Sequence, residues 1–154
     1  MSTTTRDNLE GQRALVTGAT SGIGRAVALQ LAREGAEVLV HGRDAVRGAE
    51  TVQEITDAGG KATFVAADLT DADDVHRLAN DVGDIDILVN NAGIALFGPT
   101  AEFEVAAFDK MFAGNVRAPF FLVAGANLGR NTEVAPRTGR AVSLRRARRL
   151  LPRP

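Results

Sequence analysis

Apolar positions recur along this chain with two alternating periods. Ala14, Leu15 and Val16 form a short continuous apolar run, suited to a strand buried on both faces, and it stops at Gly18. From Ile23 to Arg33 the spacing turns helical: Ile23, Val27 and Leu31 recur every four residues, and Gly35 sits where a left-handed cap would end the helix. Val38 to Val40 reads as the second strand, and Asp44 to Ala58 as the second helix, with Val46, Ala49, Val52 and Ile55 on one face. Lys61 to Ala66 is the third strand, and Val75, Leu78, Ala79 and Val82 mark a third helix. A fourth strand is expected over Ile85 to Asn90 and a long helix from Phe103 to Val123. Strands and helices therefore alternate, which predicts an α/β fold: a parallel sheet, helices on both faces, right-handed crossovers.

Composition narrows the class. The 154 residues are 45% hydrophobic, enough for one domain with a real core. Cysteine is absent and His41 and His76 are the only histidines, so neither a disulfide framework nor a zinc site is expected. No apolar run approaches membrane-spanning length, and the polar stretch Met1 to Arg6 does not read as a signal peptide; no membrane partner and a cytoplasmic location are expected. The net charge of −1 conceals an asymmetry. Residues 1–124 carry ten Lys/Arg against eighteen Asp/Glu, whereas residues 125–154 carry eight Arg against one Glu, with three of the five prolines. The expected division is a domain over 1–124 and an Arg/Pro-rich tail over 125–154, disordered or non-native. Arg145-Arg146-Ala147-Arg148-Arg149 could be a nucleic-acid patch, but no aromatic residue accompanies it and no helix-turn-helix or zinc pattern precedes it, so no nucleic-acid partner is expected.

The candidate chemistry lies at the strand ends. Gly18, Gly22 and Gly24 follow the first strand and open a helix, the arrangement in which backbone N–H groups and a helix N-terminus hold a diphosphate. An ordinary βα turn is the alternative. The second strand ends in His41-Gly42-Arg43-Asp44 without the carboxylate that would bind ribose hydroxyls. Arg43 offers instead a planar cation suited to a 2′-phosphate, with a solvated loop arginine as the alternative, and Asp44 reads as a helix N-cap. Asp68 could accept from an exocyclic amine or simply shape a turn. The acidic cluster Asp71, Asp73 and Asp74 reads as a helix start rather than a metal site. Asn115 falls on the apolar stripe of Phe108, Met111, Phe112 and Val116; a buried amide there must be paired, as an anchor or around something functional. The phenylalanines at packing spacing are expected in the core or at a subunit interface.

Thr-Gly-x-x-x-Gly-x-Gly over Thr17 to Gly24 and Asn-Asn-Ala-Gly over Asn90 to Gly93, in this order, resemble the short-chain dehydrogenase/reductase family from about Leu9 to Ala124. The resemblance implies an incomplete Rossmann-type doubly wound sheet in the order 3-2-1-4. It implies cofactor contacts from Gly18, Thr20, Ser21, Gly22, Ile23 and Gly24 at the first turn, Arg43 at the second strand, Asp68 and Leu69 around adenine, and Asn91, Ala92 and Gly93 near the nicotinamide ribose. NADP(H) is favoured over NAD(H), although a second basic residue often found before the middle glycine is replaced by Ser21. Asn115 matches the family's asparagine that kinks its helix and holds a water in the proton relay.

The family's chemistry is hydride transfer between nicotinamide and a carbonyl or alcohol carbon of a small molecule, with a serine, a tyrosine and a lysine four residues later. A phenol needs an adjacent cation to act as a base near neutral pH. Here there is no tyrosine, and Lys61 and Lys110 both precede Asn115; Ser143 alone falls near the serine's distance. The expectation is an NADP(H)-dependent oxidoreductase by family whose present chain is inactive alone. A frameshift or early stop after Ala124 in a GC-rich gene is the expected origin of residues 125–154, and the alternative function is a non-catalytic dinucleotide-binding half-domain or non-productive gene product. Family members are commonly oligomeric through the Asn115 helix, so a homo-oligomer is possible.

Overall fold

Ala14 and Val16 point to one side of the first strand and Leu15 to the other, and all three are fully buried. In the computed structural model, which describes residues 9–128, this strand (β1, Arg13–Val16) lies between β2 (Glu37–Gly42) and a short strand, Ile87–Val89. The sheet is parallel throughout, with β3 (Lys61–Ala66) outside β2. Leu15 stands beside Leu39 and Leu88, and Val16 beside Val40 and Val89. Helices α1 (Gly22–Arg33) and α2 (Ala45–Asp57) cover the face carrying Ala14, Val16, Val38 and Val40. Helices α3 (Ala72–Asp81) and α5 (Ala118–Gly125) cover the face carrying Leu15 and Leu39, with α4 (Val105–Phe112) preceding α5. This is the open, doubly wound sheet expected from the alternating periods. Each fully buried Leu, Ile or Val contributes about 1.5–3 kcal/mol of transfer free energy.

The fourth strand is not one piece. Asp84–Ile85 (β4) and Ile87–Val89 (β5) are separated at Asp86, whose N–H donates to the Arg13 carbonyl at 2.8 Å while its carboxylate accepts from the Arg13 N–H at 2.9 Å. A side chain thus replaces one rung of the ladder. β5 continues the main sheet, giving the order β3-β2-β1-β5, and β4 pairs in parallel with Asn127–Leu128 (β6). The first three strands and the one beyond β1 therefore stand as the resemblance implied. Residues 125–128 continue the fold as the end of α5 and β6. The Arg/Pro-rich remainder, with Ser143 and the arginine run, lies outside the described residues.

The α3 face is as its spacing predicts: Val75, Leu78, Ala79 and Val82 are all buried. The α1 and α2 faces are shifted. Gly24, Ala28 and Ala32 face the sheet, Val27 and Leu31 are half-buried beside them, and Ile23 is 77% exposed. On α2 the buried residues are Gly48, Thr51 and Ile55, with Val46 exposed. Close approach explains both corrections. A Cβ on Gly48 would overlap the Phe64 ring of β3, so the closest contact goes to residues without bulk.

The long helix is also divided. A 3₁₀ turn (Thr100–Glu102) leads to α4, a π-helical turn over Ala113–Arg117 follows, and α5 then begins with Pro119 in its first turn. Proline cannot donate to the carbonyl four residues back, here that of Asn115, and its ring crowds that carbonyl. A wider turn just before it accommodates both effects. Ala118 and Leu122 face the sheet, while Phe108, Phe112, Val116 and Phe120 are 48–66% exposed, so these side chains are not in the core formed by the described residues.

Candidate active-site cleft

The carboxyl ends of β1, β2, β3 and β5 meet along one edge of the sheet, where open α/β sheets bind ligands. Thr17, immediately after β1, is the hub of one end. Its buried hydroxyl accepts from the N–H groups of Asn91 and Ala92, both at 3.0 Å, and donates to the Val89 carbonyl at 3.3 Å. Asn91 returns the contact: its side-chain amide donates to the carbonyls of Thr17 and Gly18 at 3.1 and 3.3 Å. The glycine turn and the Asn91–Gly93 loop are thereby one unit.

Two glycines in this turn are required by geometry. Gly18 has φ +66°, and a Cβ there would press on the backbone of Ala92 at 3.0 Å. A Cβ on Gly24 would overlap the Gly18 carbonyl and the Asn91 amide. Gly22, with φ +55°, opens α1, and Ser21, Gly22 and Ile23 are exposed at its N-terminus. α2 is capped by Asp44, which accepts from the N–H groups of Val46 and Arg47, and α3 by Asp71; the Ser21 side chain caps nothing and the first turn of α1 carries no carboxylate. The partial positive charge at this N-terminus remains available to an anion.

The middle of the cleft is set by His41, which the sequence placed at the end of the second strand without assigning it a role. Its ring is buried: Nδ1 accepts from the Gly18 N–H at 3.3 Å and Nε2 faces the Ala67 carbonyl at 3.1 Å, which makes it the neutral Nε2–H tautomer. Its own carbonyl takes the Ala19 N–H at 2.8 Å. Burial, together with the nearby Arg43 charge, holds the imidazole pKa below its usual value against the opposing pull of the Ala67 carbonyl. A polar residue closing a fully apolar strand, Val-Leu-Val-His-Gly, was the available signal.

On the far side of β2, Thr20 packs its methyl over Gly42, and the exposed Arg43 follows. The Asp68 carboxylate accepts from the Thr70 N–H at 2.9 Å and hydroxyl at 2.8 Å. These two bonds, with lesser help from Arg43 and Lys110, hold the Asp68 carboxyl below the usual carboxylate range. The turn-forming role of Asp68 is therefore real, and the pairing of Gly42 with Ala66 sets the ends of the second and third strands side by side. Leu69 is buried in the core, leaving its backbone to the cleft.

Asn115 differs from expectation in one respect. It is exposed rather than buried; small residues, Ala113 and Gly114, take the buried positions of the π turn. Its amide is nevertheless paired: Oδ1 accepts from the Ile94 N–H at 2.8 Å and Nδ2 donates to the Ile94 carbonyl at 2.7 Å. The loop that carries Asn91, Ala92 and Gly93 is anchored at its far end by this bidentate contact. Beyond it, Leu96, Phe97, Phe103, Val105, Phe108 and Met111 line an apolar groove of about 490 Å3. Phe103 and Phe108 therefore face a cleft, not the core. Among the described residues no cluster of His, Cys, Asp and Glu could hold a metal ion, and no helix is long and apolar enough to cross a membrane.

A parallel sheet in this order, with a glycine turn under a helix N-terminus at the carboxyl ends of its strands, defines a dinucleotide-binding α/β protein of Rossmann type. Residues 12–128 match the family model for short chain dehydrogenase, and the chain belongs to that family. It is 42% identical over 117 residues to an uncharacterized oxidoreductase of Thermotoga maritima, covering 75% of this chain and 47% of that protein. Among solved structures, it resembles a short chain dehydrogenase/reductase family protein with 51% identity and a TM-score of 0.72, over 77% of this chain and 49% of that one. It also resembles a metagenomic short-chain oxidoreductase in complex with NADP, with 40% identity and a TM-score of 0.75, over 77% and 56% of the two chains. The chain spans about half the length of the curated relatives it matches.

Proposed function

We propose that this chain is the cofactor-binding half of an NADP(H)-dependent oxidoreductase, and that alone it binds the dinucleotide without turning over a substrate. The observation that carries the reading is the convergence on one cleft of the Gly18–Gly24 turn, Arg43, the Asp68–Thr70 turn and the Asn91–Gly93 loop. The residues fit a dinucleotide: a Cβ on Gly22 would meet nothing within 4 Å, so the turn is open over the α1 N-terminus, which has no carboxylate of its own. Thr20, Ser21, Gly22 and Ile23 would hold the diphosphate, Arg43 the 2′-phosphate, Asp68 and the Leu69 backbone the adenine, and Asn91, Ala92 and Gly93 the nicotinamide ribose. When bound, the cofactor supplies or accepts the hydride exchanged with a carbonyl or alcohol carbon.

What this chain's residues do is orient and bind. Asn115 fixes Ile94, and with it the nicotinamide end of the loop; its second amide hydrogen and remaining oxygen lone pair suit a relay water in a chain carrying the full catalytic set. No tyrosine is present to give or take the proton, and neither Lys61 nor Lys110 follows Asn115, which supports binding without turnover. NADP-complexed relatives support the cofactor preference.

Arg43→Ala tests the reading. A charge-assisted bond to a phosphate contributes about 1.5–3 kcal/mol, so NADPH affinity should fall about 10–100-fold while NADH affinity stays level. Equal loss for both cofactors would show that Arg43 does not read the 2′-phosphate.

A further inference from the structure

The π turn carries a second side chain that the catalytic reading leaves unused. Arg117, two residues beyond Asn115, donates from Nη2 to the Thr70 carbonyl at 2.6 Å. Thr70 in turn gives both its N–H and its hydroxyl to the Asp68 carboxylate. Side chains two apart on a helix point away from each other, so Asn115 reaches one loop and Arg117 another. Five residues of wide turn therefore grip Asp68–Thr70 at the adenine end of the cleft and Ile94 at the nicotinamide end. Gly114, between the two gripping residues, faces both Ile94 and Thr70: a Cβ there would lie 3.2 Å from the Ile94 side chain and 3.7 Å from the Thr70 methyl.

Stability alone does not call for arginine at this place. The Arg117 Nε–H is buried without an acceptor among the described residues, an unfavourable arrangement that an apolar side chain of similar length would avoid. The donor that is used, Nη2, goes to the Thr70 carbonyl of the adenine-side turn.

We propose that Arg117 is a positioning residue that couples the two ends of the cleft, so that a ligand ordering the Asp68–Thr70 turn also orders the Asn91–Ile94 loop through the π turn. The inference rests on the reading of the cleft as an NADP(H) site.

The test uses the full chain, Arg117→Met and Arg117→Lys, with NADPH and with adenosine 2′,5′-bisphosphate, which carries only the adenine-side groups. In the wild type, the bisphosphate alone should slow amide exchange at Ile94 as well as at Thr70. In Arg117→Met the Thr70 response should remain and the Ile94 response vanish, with NADPH binding about tenfold weaker, a coupling of ordinary size. Lysine keeps a donor for the Thr70 carbonyl and should restore much of the Ile94 response. An unchanged Ile94 response in Arg117→Met overturns the coupling. If Arg117→Met does not fold, Arg117→Lys decides: loss of the Ile94 response despite intact folding overturns it as well. If the wild type binds neither probe, the cofactor reading fails, and the coupling is then judged in the ligand-free chain. There Arg117→Met must accelerate exchange at both Thr70 and Ile94, and acceleration at Thr70 alone overturns it.

Discussion

Thr17→Val removes one oxygen from the centre of the cleft and leaves its volume nearly unchanged. The Thr17 hydroxyl is the acceptor for both the Asn91 and Ala92 N–H groups and the donor to the Val89 carbonyl, and the residue is only 1% exposed. Valine fills the same space, so no cavity forms. The Ala92 N–H loses its acceptor at a site water barely reaches, at a cost of about 1–3 kcal/mol, whereas the Asn91 N–H keeps the Val89 carbonyl at 3.1 Å. With one donor orphaned we expect a total of about 1–3 kcal/mol, a sizeable share of the roughly 5–15 kcal/mol that holds a domain together. Thr17→Ser is the control: it keeps the hydroxyl and loses one methyl, for about 1 kcal/mol. Urea unfolding followed by far-UV circular dichroism measures both. If Thr17→Val matches the wild type, or if serine costs as much as valine, the hydroxyl is not the hub and the methyl contact accounts for the site.

Two further outcomes follow from the same cleft. Gly24→Ala should destabilise the chain by about 1–3 kcal/mol, because its Cβ meets the Gly18 carbonyl and the Asn91 amide rather than a yielding side chain, and it should weaken NADPH binding; urea melts and a fluorescence titration check this. His41 sets a pH dependence whose sign is fixed by its lowered pKa. The unfolded chain takes a proton near pH 6.5 that the folded chain refuses, so stability is full above that pH and falls as pH drops from 6.5 toward the folded pKa, with a slope of at most about 1.4 kcal/mol per pH unit. His41→Asn should remove that component below pH 6.5, and equal slopes for the two proteins there would show that His41 is not the titrating group.

The sheet and the α3 face were legible because their signal is strong: residues apolar on both faces in β1 and β2, and four well-spaced apolar residues against an acidic start in α3. The α1 and α2 faces were read one or two residues off, since hydrophobicity scores Ile23 and Val46 highly while close packing selects Gly24, Ala28 and Gly48. Asp86 looked like one more residue of a strand; only its exchange with Arg13, 73 positions away, shows that it breaks the ladder. The glycine turn, Arg43, Asp68 and the Asn91–Gly93 loop could be located by motif. Their connectors could not: the Thr17 hydroxyl, the His41 ring and the Arg117 guanidinium bond to groups between 23 and 75 residues distant, pairings that no local pattern encodes.

The exposed Phe108, Phe112, Val116 and Phe120 follow the same logic, since helical spacing identifies an apolar stripe and not what covers it.

On the proposed reading, the cleft at the strand ends holds a dinucleotide carrying a 2′-phosphate, and this chain does no chemistry with it. The direct measurement is a titration of the full 154-residue chain with NADPH and with NADH, read by the reduced nicotinamide's fluorescence, followed by addition of a panel of ketones. Saturable binding that is tighter for NADPH, with no loss of reduced cofactor over hours, is the predicted result. Absence of binding would contradict the assignment of the cleft, and steady oxidation of NADPH by a ketone would contradict the account of a missing proton donor.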